Sequence, residues 1–332
     1  SGLPAAVCRQ PAARIRIRRH RYAAVGYPAA EKYSPDEGGI VEAAISNEDT
    51  ITVGVDHSSE SLAASRWAAR EAVRRGYPLR LVHALSEDKA GKSQRDSARE
   101  LLADAEGKLR RQYPELSITT EVLTERAEDA LVKAAGESRA LVIGSHGVDR
   151  LHSFFLGDTG LHIVARAQRP VILLRAVPEE TEAEEGATGG GGIAVAVNLQ
   201  GSYHGLLDFA FRSAQVSGHQ LYVVHARKLM AQAYAPTGSV VPHIAQEIAE
   251  EEKQKLADVL KSWSQEYPDV HVTGRVRLES PARAIVRQAV GSNLLIVGRR
   301  RRDRPSLGPR IGPVAQAAVH HAACPVAVVP HD

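Results

Sequence analysis

The chain has 332 residues, 43% of them hydrophobic, with a formal net charge of +3. That length supplies the cores of two ordinary domains, and no apolar run is long enough to cross a membrane. Residues 1–40 alone carry +4, which leaves about −1 for the remainder and argues against a strongly basic nucleic-acid binder.

Residues 1–49 form a basic N-terminal tail without clear periodicity, centred on the run from Ala13 to Arg21. Three readings stay open for it: a disordered tail, an arm that grips an anionic partner, or translated upstream sequence ahead of a start at Val41. Beyond it the pattern alternates. Ile51 to Asp56 (ITVGVD) reads as a strand, Ser61 to Arg75 as a helix closed by Gly76, and Leu79 to Ala84 as a second strand. A charged helix from about Ser93 to Gln112 follows, then a strand over Ile118–Leu123 and a helix over Ala127–Gly136. Leu141–Ile143 is a buried strand, Thr159–Ala167 a helix, and Val171–Leu174 the fifth strand. Residues 177–191, acidic and then glycine-rich, read as a solvated linker.

The second half repeats the first. Ile193 to Asn198 lines up with Ile51 to Asp56, Gly218 with Gly76, His225 with His83, and Tyr267-Pro268 with Tyr113-Pro114. Pro170 before the last strand meets Pro325. A repeat this long is a duplicated domain rather than a solenoid unit. The expected fold is α/β: two tandem doubly wound domains (50–176 and 192–332), each a mostly parallel five-stranded sheet with helices on both faces. Two cysteines, Cys8 and Cys324, allow no disulfide framework within a domain and point to a reducing, cytoplasmic setting. Cys324 reads as a small buried apolar residue at a helix end.

Ligands of such sheets lie beyond the carboxyl ends of strands, where Asp56, Ala84 and Gly144 fall. Gly144 and Gly147 can take positive φ and let amides approach an anion, and Gly157 stands at a helix mouth whose free N–H groups attract phosphate. His146, inside this loop, is a candidate phosphate donor. His320-His321 lacks zinc-motif spacing.

The spacing Gly144-x2-Gly147-x9-Gly157 resembles the ATP-binding signature of the universal stress proteins, in the tandem form seen in actinobacteria. The resemblance implies Asp56 and Ser58 at the adenine end, Ala84 flanking the base, and Gly144, Ser145, His146, Gly147 and Gly157 around the phosphates. It implies ATP, AMP or another adenine nucleotide as ligand, and a stress-response or signalling role. It also implies pairing of domains through their last strands, here Val171–Leu174 with Val326–Val329 inside one chain as a pseudo-dimer, with a homodimer as a further option.

One position departs. The family's hydroxyl residue after the third glycine is Asp158, and a carboxylate repels phosphate. Asp158 either caps the helix or holds a Mg²⁺ bridging to the phosphates, while Thr159 offers a hydroxyl one place later. The second copy departs further: Asn198 replaces the Asp, Arg301 the second glycine, Pro313 the hydroxyl residue, and the loop gains a residue. Arg299, Arg300, Arg301 and Arg302 suggest contact with a different anion or with an acidic protein partner. Two other functions stay open beside nucleotide binding: a nucleotide-dependent α/β enzyme, and a protein-interaction module that binds no nucleotide. No catalytic base is identifiable, so slow hydrolysis at most is expected.

Overall fold

The computed structural model describes residues 49–89, 91–145, 157–175, 191–229, 242–301 and 311–332. Residues 1–48 of the basic tail, all of the linker but Gly191, and His146, Gly147 and Arg302 lie outside the described residues.

The first half runs β1 (Ile51–Gly54), α1 (Ser59–Arg75), β2 (Leu79–Ala84), α2 (Lys92–Gln112), β3 (Ile118–Leu123), α3 (Ala127–Gly136), β4 (Ala140–Gly144), α4 (Asp158–Arg166) and β5 (Val171–Leu174). The second runs β6 (Ile193–Val197), α5 (His204–Ser217), β7 (Leu221–Ala226), α6 (Pro242–Glu266), β8 (Val272–Arg277), α7 (Pro281–Ala289), β9 (Leu294–Arg300), α8 (Pro313–His321) and β10 (Val326–His331). The helices start and stop where side-chain chemistry directs. Ser58 caps α1 by accepting from Ser61 N at 3.1 Å, which begins that helix two residues before the apolar spacing does. Gly76 and Gly218 close α1 and α5 in the left-handed region, at φ 66° and 69°. Pro281 and Pro313 occupy first helical positions, where the missing N–H would have no intrahelical partner.

The described strands form one sheet in the order β3-β2-β1-β4-β5-β10-β9-β6-β7-β8. Within each half every pairing is parallel, and the order reverses between β1 and β4 and between β6 and β9. Those two gaps are the switch points where an α/β sheet opens a crevice. At the centre β5 and β10 are antiparallel, with Ile172 opposite Ala327. These two residues are also repeat equivalents, so the pseudo-two-fold passes through their pair. The expected intramolecular pairing of last strands is met. The carboxyl ends of the two halves consequently point in opposite directions.

Alternation along the strands builds two continuous cores. Ile172, Leu174, Ala327 and Val329 join a layer under α1, α2, α5 and α6, which includes Leu102, Phe211, Leu256 and Trp263. Val171, Leu173, Val326 and Val328 face the other way, toward Ile163, Ile285 and Val319, with Cys324 buried among them. Both layers run across the junction, so the halves share their cores.

Candidate functional site

At the first switch point, β1 delivers Asp56 to the surface. Its Oδ1 accepts from Ser58 N at 2.9 Å and from the Ser58 hydroxyl. Buried Ser61, which sequence reasoning missed, donates its hydroxyl to the Asp56 carbonyl at 2.7 Å and accepts from Asp56 N at 3.2 Å. Ser58 is thus shared between the turn and the α1 cap. The serine spacing Ser58-x2-Ser61 carried that signal. Across the repeat, Asn198 Oδ1 accepts from Gln200 N at 3.1 Å, so the Asp-to-Asn exchange keeps the turn and removes only its charge.

Gly144 ends β4 beside this loop. Its φ is not positive; the described glycines in that region are Gly76, Gly218 and Gly291. What requires glycine is proximity: a Cβ there would stand 2.5 Å from the Glu60 carbonyl carbon and 2.6 Å from Ser61 N. Gly144 lets the first turn of α1 lie on the strand end. Ala84 closes β2, and Ser145 is buried with its N–H donating to Leu174 O at 2.6 Å. Gly157 is the N-cap of α4, with no described atom within 4 Å of an added Cβ and no described side chain bonded to the cap. The expected capping by Asp158 is not what forms: Asp158 is the first helical residue, too far into the turn to accept from the amides beyond it. The Thr159 hydroxyl faces Glu128, 3.4 Å away. Beyond β2 and β3 a depression of about 440 Å³ is lined by Ser86, Glu87, Asp88, Glu125, Arg126 and Asp129. This carboxyl edge is acidic.

His83 and His225 hold the second strands of the two halves to the first, each placing Nδ1 against a carbonyl: Val55 O at 2.8 Å and Val197 O at 3.1 Å. There the likeness ends. Opposite His225 lies Glu252, 2% exposed, at the α6 position equivalent to buried Ala98 of α2. Its carboxylate meets Arg227 at 2.5 Å, His225 Nε2 at 3.2 Å and Lys255 at 3.4 Å. The histidine contact has the distance of an ion pair without the direction of a hydrogen bond. Burial pushes the Glu252 carboxyl up, but the Arg227 hydrogen bond and the charges of Lys255, His225 and Arg227 outweigh it and hold the group below its usual range.

The arginine run is not simply a loop. β9 continues past Gly298 through Arg300, paired with β10 out to His331. Strand alternation then sends successive side chains to opposite faces. Arg299 turns inward: it is 5% exposed and donates to the carbonyl of Ala167, which follows α4 in the first half. It is therefore removed from the solvent-facing role that its place in a basic run suggested. Arg301 pairs with Asp332 at 2.6 Å. Arg300 alone among these three is exposed and has no acidic partner among the described residues.

The Universal stress protein family profile matches residues 48–175 and again 192–330. Universal stress protein Rv2005c of Mycobacterium tuberculosis is 30% identical over 299 residues, covering 84% of this chain and 96% of its own length. Rv2623 of the same organism is 29% identical over 300 residues, with 84% and 95% covered. In three dimensions, a universal stress protein from Archaeoglobus fulgidus superposes on 86% of this chain and 99% of its own, with a TM-score of 0.61 at 12% identity. No described helix is long and apolar enough to cross a membrane. Two copies of one family pattern, the strand order of each half and full-length relatives agree: the chain belongs to the universal stress protein family.

Proposed function

We propose that residues 50–176 bind an adenine nucleotide, ATP or AMP, and that the chain acts in the cytoplasm as a nucleotide-responsive stress or signalling protein rather than as an enzyme. The observation that carries this reading is the first switch point itself. There Gly144 brings α1 onto β4, Asp56 projects from a pinned turn, and α4 opens at Gly157 with amides that no described side chain caps.

The acidity of that edge sets a condition. Glu60 in the first turn of α1, beside Gly144, and Asp158 in the first turn of α4 bring carboxylates to this edge, so a bare triphosphate there meets repulsion. Among the described residues no three acidic, histidine or cysteine side chains group to cage a metal. Mg²⁺ bound through one carboxylate and the phosphates themselves needs no such cage, and Asp158 is the carboxylate in position. When bound, the ion would neutralise phosphate charge; Gly157 and the α4 amides would orient the chain of phosphates.

The second half departs from this mode: Glu252 fills the position that Ala98 leaves small, and β9 runs on where the glycine loop would begin. One nucleotide per chain is therefore expected. Calorimetric titration of the full chain with ATP, in Mg²⁺ and in EDTA, tests this. The expected result is a single Mg²⁺-dependent site weakened by Gly157→Ala, with thermal stabilisation of about 2.7 kcal/mol at a hundredfold excess over Kd. Absence of heat and of stabilisation in both buffers would sink the reading and favour a protein-interaction module.

A further inference from the structure

α4 carries the glycine-loop cap at one end and a buried carbonyl at the other. Gly157 and Ala167 flank its nine residues and stand about 15 Å apart along one rigid rod. Ile163 and Val164 press that rod onto the sheet, but apolar burial is non-directional and does not fix its position along its own axis. The described polar fastenings of α4 to its own half are weak. Arg166 meets Asp129 of α3 at 3.1 Å with both side chains half-exposed, and the Thr159 hydroxyl stands 3.4 Å from Glu128. The buried fastening comes from the other half: Arg299 donates to the Ala167 carbonyl, and both residues are buried. Burial first, then the neighbouring charge of Arg301, lowers Arg299 from its ordinary value, so the carbonyl it meets compensates part of that cost. Register fixes where this arm starts. Arg299 pairs with Pro330 and Arg300 with His331, so the end of β9 cannot slide without unpairing from β10. The first half returns no such arm, since Ser145 stands at the equivalent position and its N–H donates to Leu174 O.

We propose that Arg299 is a positioning residue for the nucleotide site of the first half: by fixing the C-terminal end of α4 it sets where the amides at Gly157 stand, so the second half governs first-half affinity. The inference rests on nucleotide binding by residues 50–176 and adds its control. Arg299 meets α4 at the end far from the ligand and acts through the helix. The coupling is reciprocal by linkage: a nucleotide that prefers the fastened α4 must strengthen the Arg299 contact and quieten the end of β9.

The test is titration of the full chain and of its Arg299→Met and Arg299→Lys variants with Mg-ATP, together with amide hydrogen exchange in the presence and absence of nucleotide. Methionine keeps an apolar stem and removes every donor, whereas lysine restores a charged donor. Affinity at least fivefold weaker in Arg299→Met, with most of it recovered in Arg299→Lys, is the expected result. ATP should also slow exchange of the Arg301 amide, which donates to His331 O, in the unmodified chain but not in Arg299→Met. Phe211→Leu, in the opposite core layer, costs stability without touching α4 and should leave both affinity and the Arg301 effect intact. Equal weakening in Phe211→Leu, or full affinity in Arg299→Met while the unmodified chain binds, would overturn the inference and leave nucleotide binding standing. The exchange measurement needs no substitution, so ATP binding without slowing at Arg301 would overturn it even where Arg299→Met failed to fold. No binding by the unmodified chain would overturn both readings.

Discussion

The guanidinium of Arg299 donates to the main-chain carbonyl of Ala167, joining residues 132 positions apart across the pseudo-two-fold. Ala167 directly follows α4, so a buried cation sits at the C-terminal end of the helix whose first turn opens the glycine-loop site. That placement satisfies a terminal carbonyl and complements the helix dipole. The repeat equivalent of Arg299 is Ser145, which is too short to return the contact.

Arg299→Ala is therefore expected to destabilise the whole chain by about 2 kcal/mol, the range for a buried hydrogen bond to a charged group. Urea unfolding checks it. Arg300→Ala, one residue on and exposed, should change stability by less than about 0.5 kcal/mol. Equal effects of the two would mean that the alternation of β9 past Gly298 is misassigned.

The glycines of the first loop should separate by mechanism. Gly144→Ala places a methyl against the backbone of Glu60 and Ser61, neither of which is a flexible end, and should cost roughly 1–3 kcal/mol through overpacking. Gly157→Ala meets no described atom and should lose about 1 kcal/mol at most, the difference in N-cap preference. Thermal melts without ligand distinguish the two. Loss of ligand binding in Gly157→Ala would then report on the site, whereas the same loss in Gly144→Ala would be confounded by the fold.

Glu252 makes a prediction in acid. Its carboxyl is held below its ordinary value of 4.5 in the folded chain, so it contributes stability above that pH and loses it as pH falls through the depressed folded value. Glu252→Gln should flatten the acid limb of stability below about pH 4.5, and at neutral pH should destabilise by roughly 3 kcal/mol because Arg227 is left without its partner. Chemical denaturation across pH measures both. An unchanged acid limb would place the acid sensitivity elsewhere.

His219 and His331 act at milder pH. Burial first, then the nearby charge of Arg74, lowers His219; burial first, then chiefly Arg300, lowers His331, although the Asp332 backbone and carboxylate oppose it. Groups lowered from 6.5 bind fewer protons folded than unfolded, so stability should fall as pH drops below about 6.5 and stop falling below their folded values. The double variant His219→Gln/His331→Gln should remove that step from a melting-temperature profile.

Much of this fold is written in local pattern. The runs at Ile51, Leu141 and Val171 are buried on both faces, and Gly76 and Gly218 stop their helices where the apolar spacing ends. The helix starts were less legible because caps, not apolar spacing, define them: Ser58 starts α1 ahead of its first apolar residue, and Gly157 rather than Asp158 caps α4. The positions of Asp56 and Gly144 at strand ends could be read from order along the chain, but the reason for glycine at Gly144 is a contact with α1 that no spacing encodes. The arginine run was visible as charge only. Whether each arginine faces a carbonyl, a carboxylate or water depends on β9 extending two residues farther than β4, and that extension is fixed by pairing with His331, more than thirty positions later in the chain.

The antiparallel contact of β5 with β10 has a consequence for how the two halves can change. Because both strands belong to one polypeptide, their pairing is unimolecular, and dilution cannot dissolve it. In a pair of identical chains any new residue arrives twice, so an arginine reaching across the axis would have to be tolerated on both sides. Here Arg299 arrived once. The linked chain could acquire a one-sided strut without asking the other half to carry its counterpart.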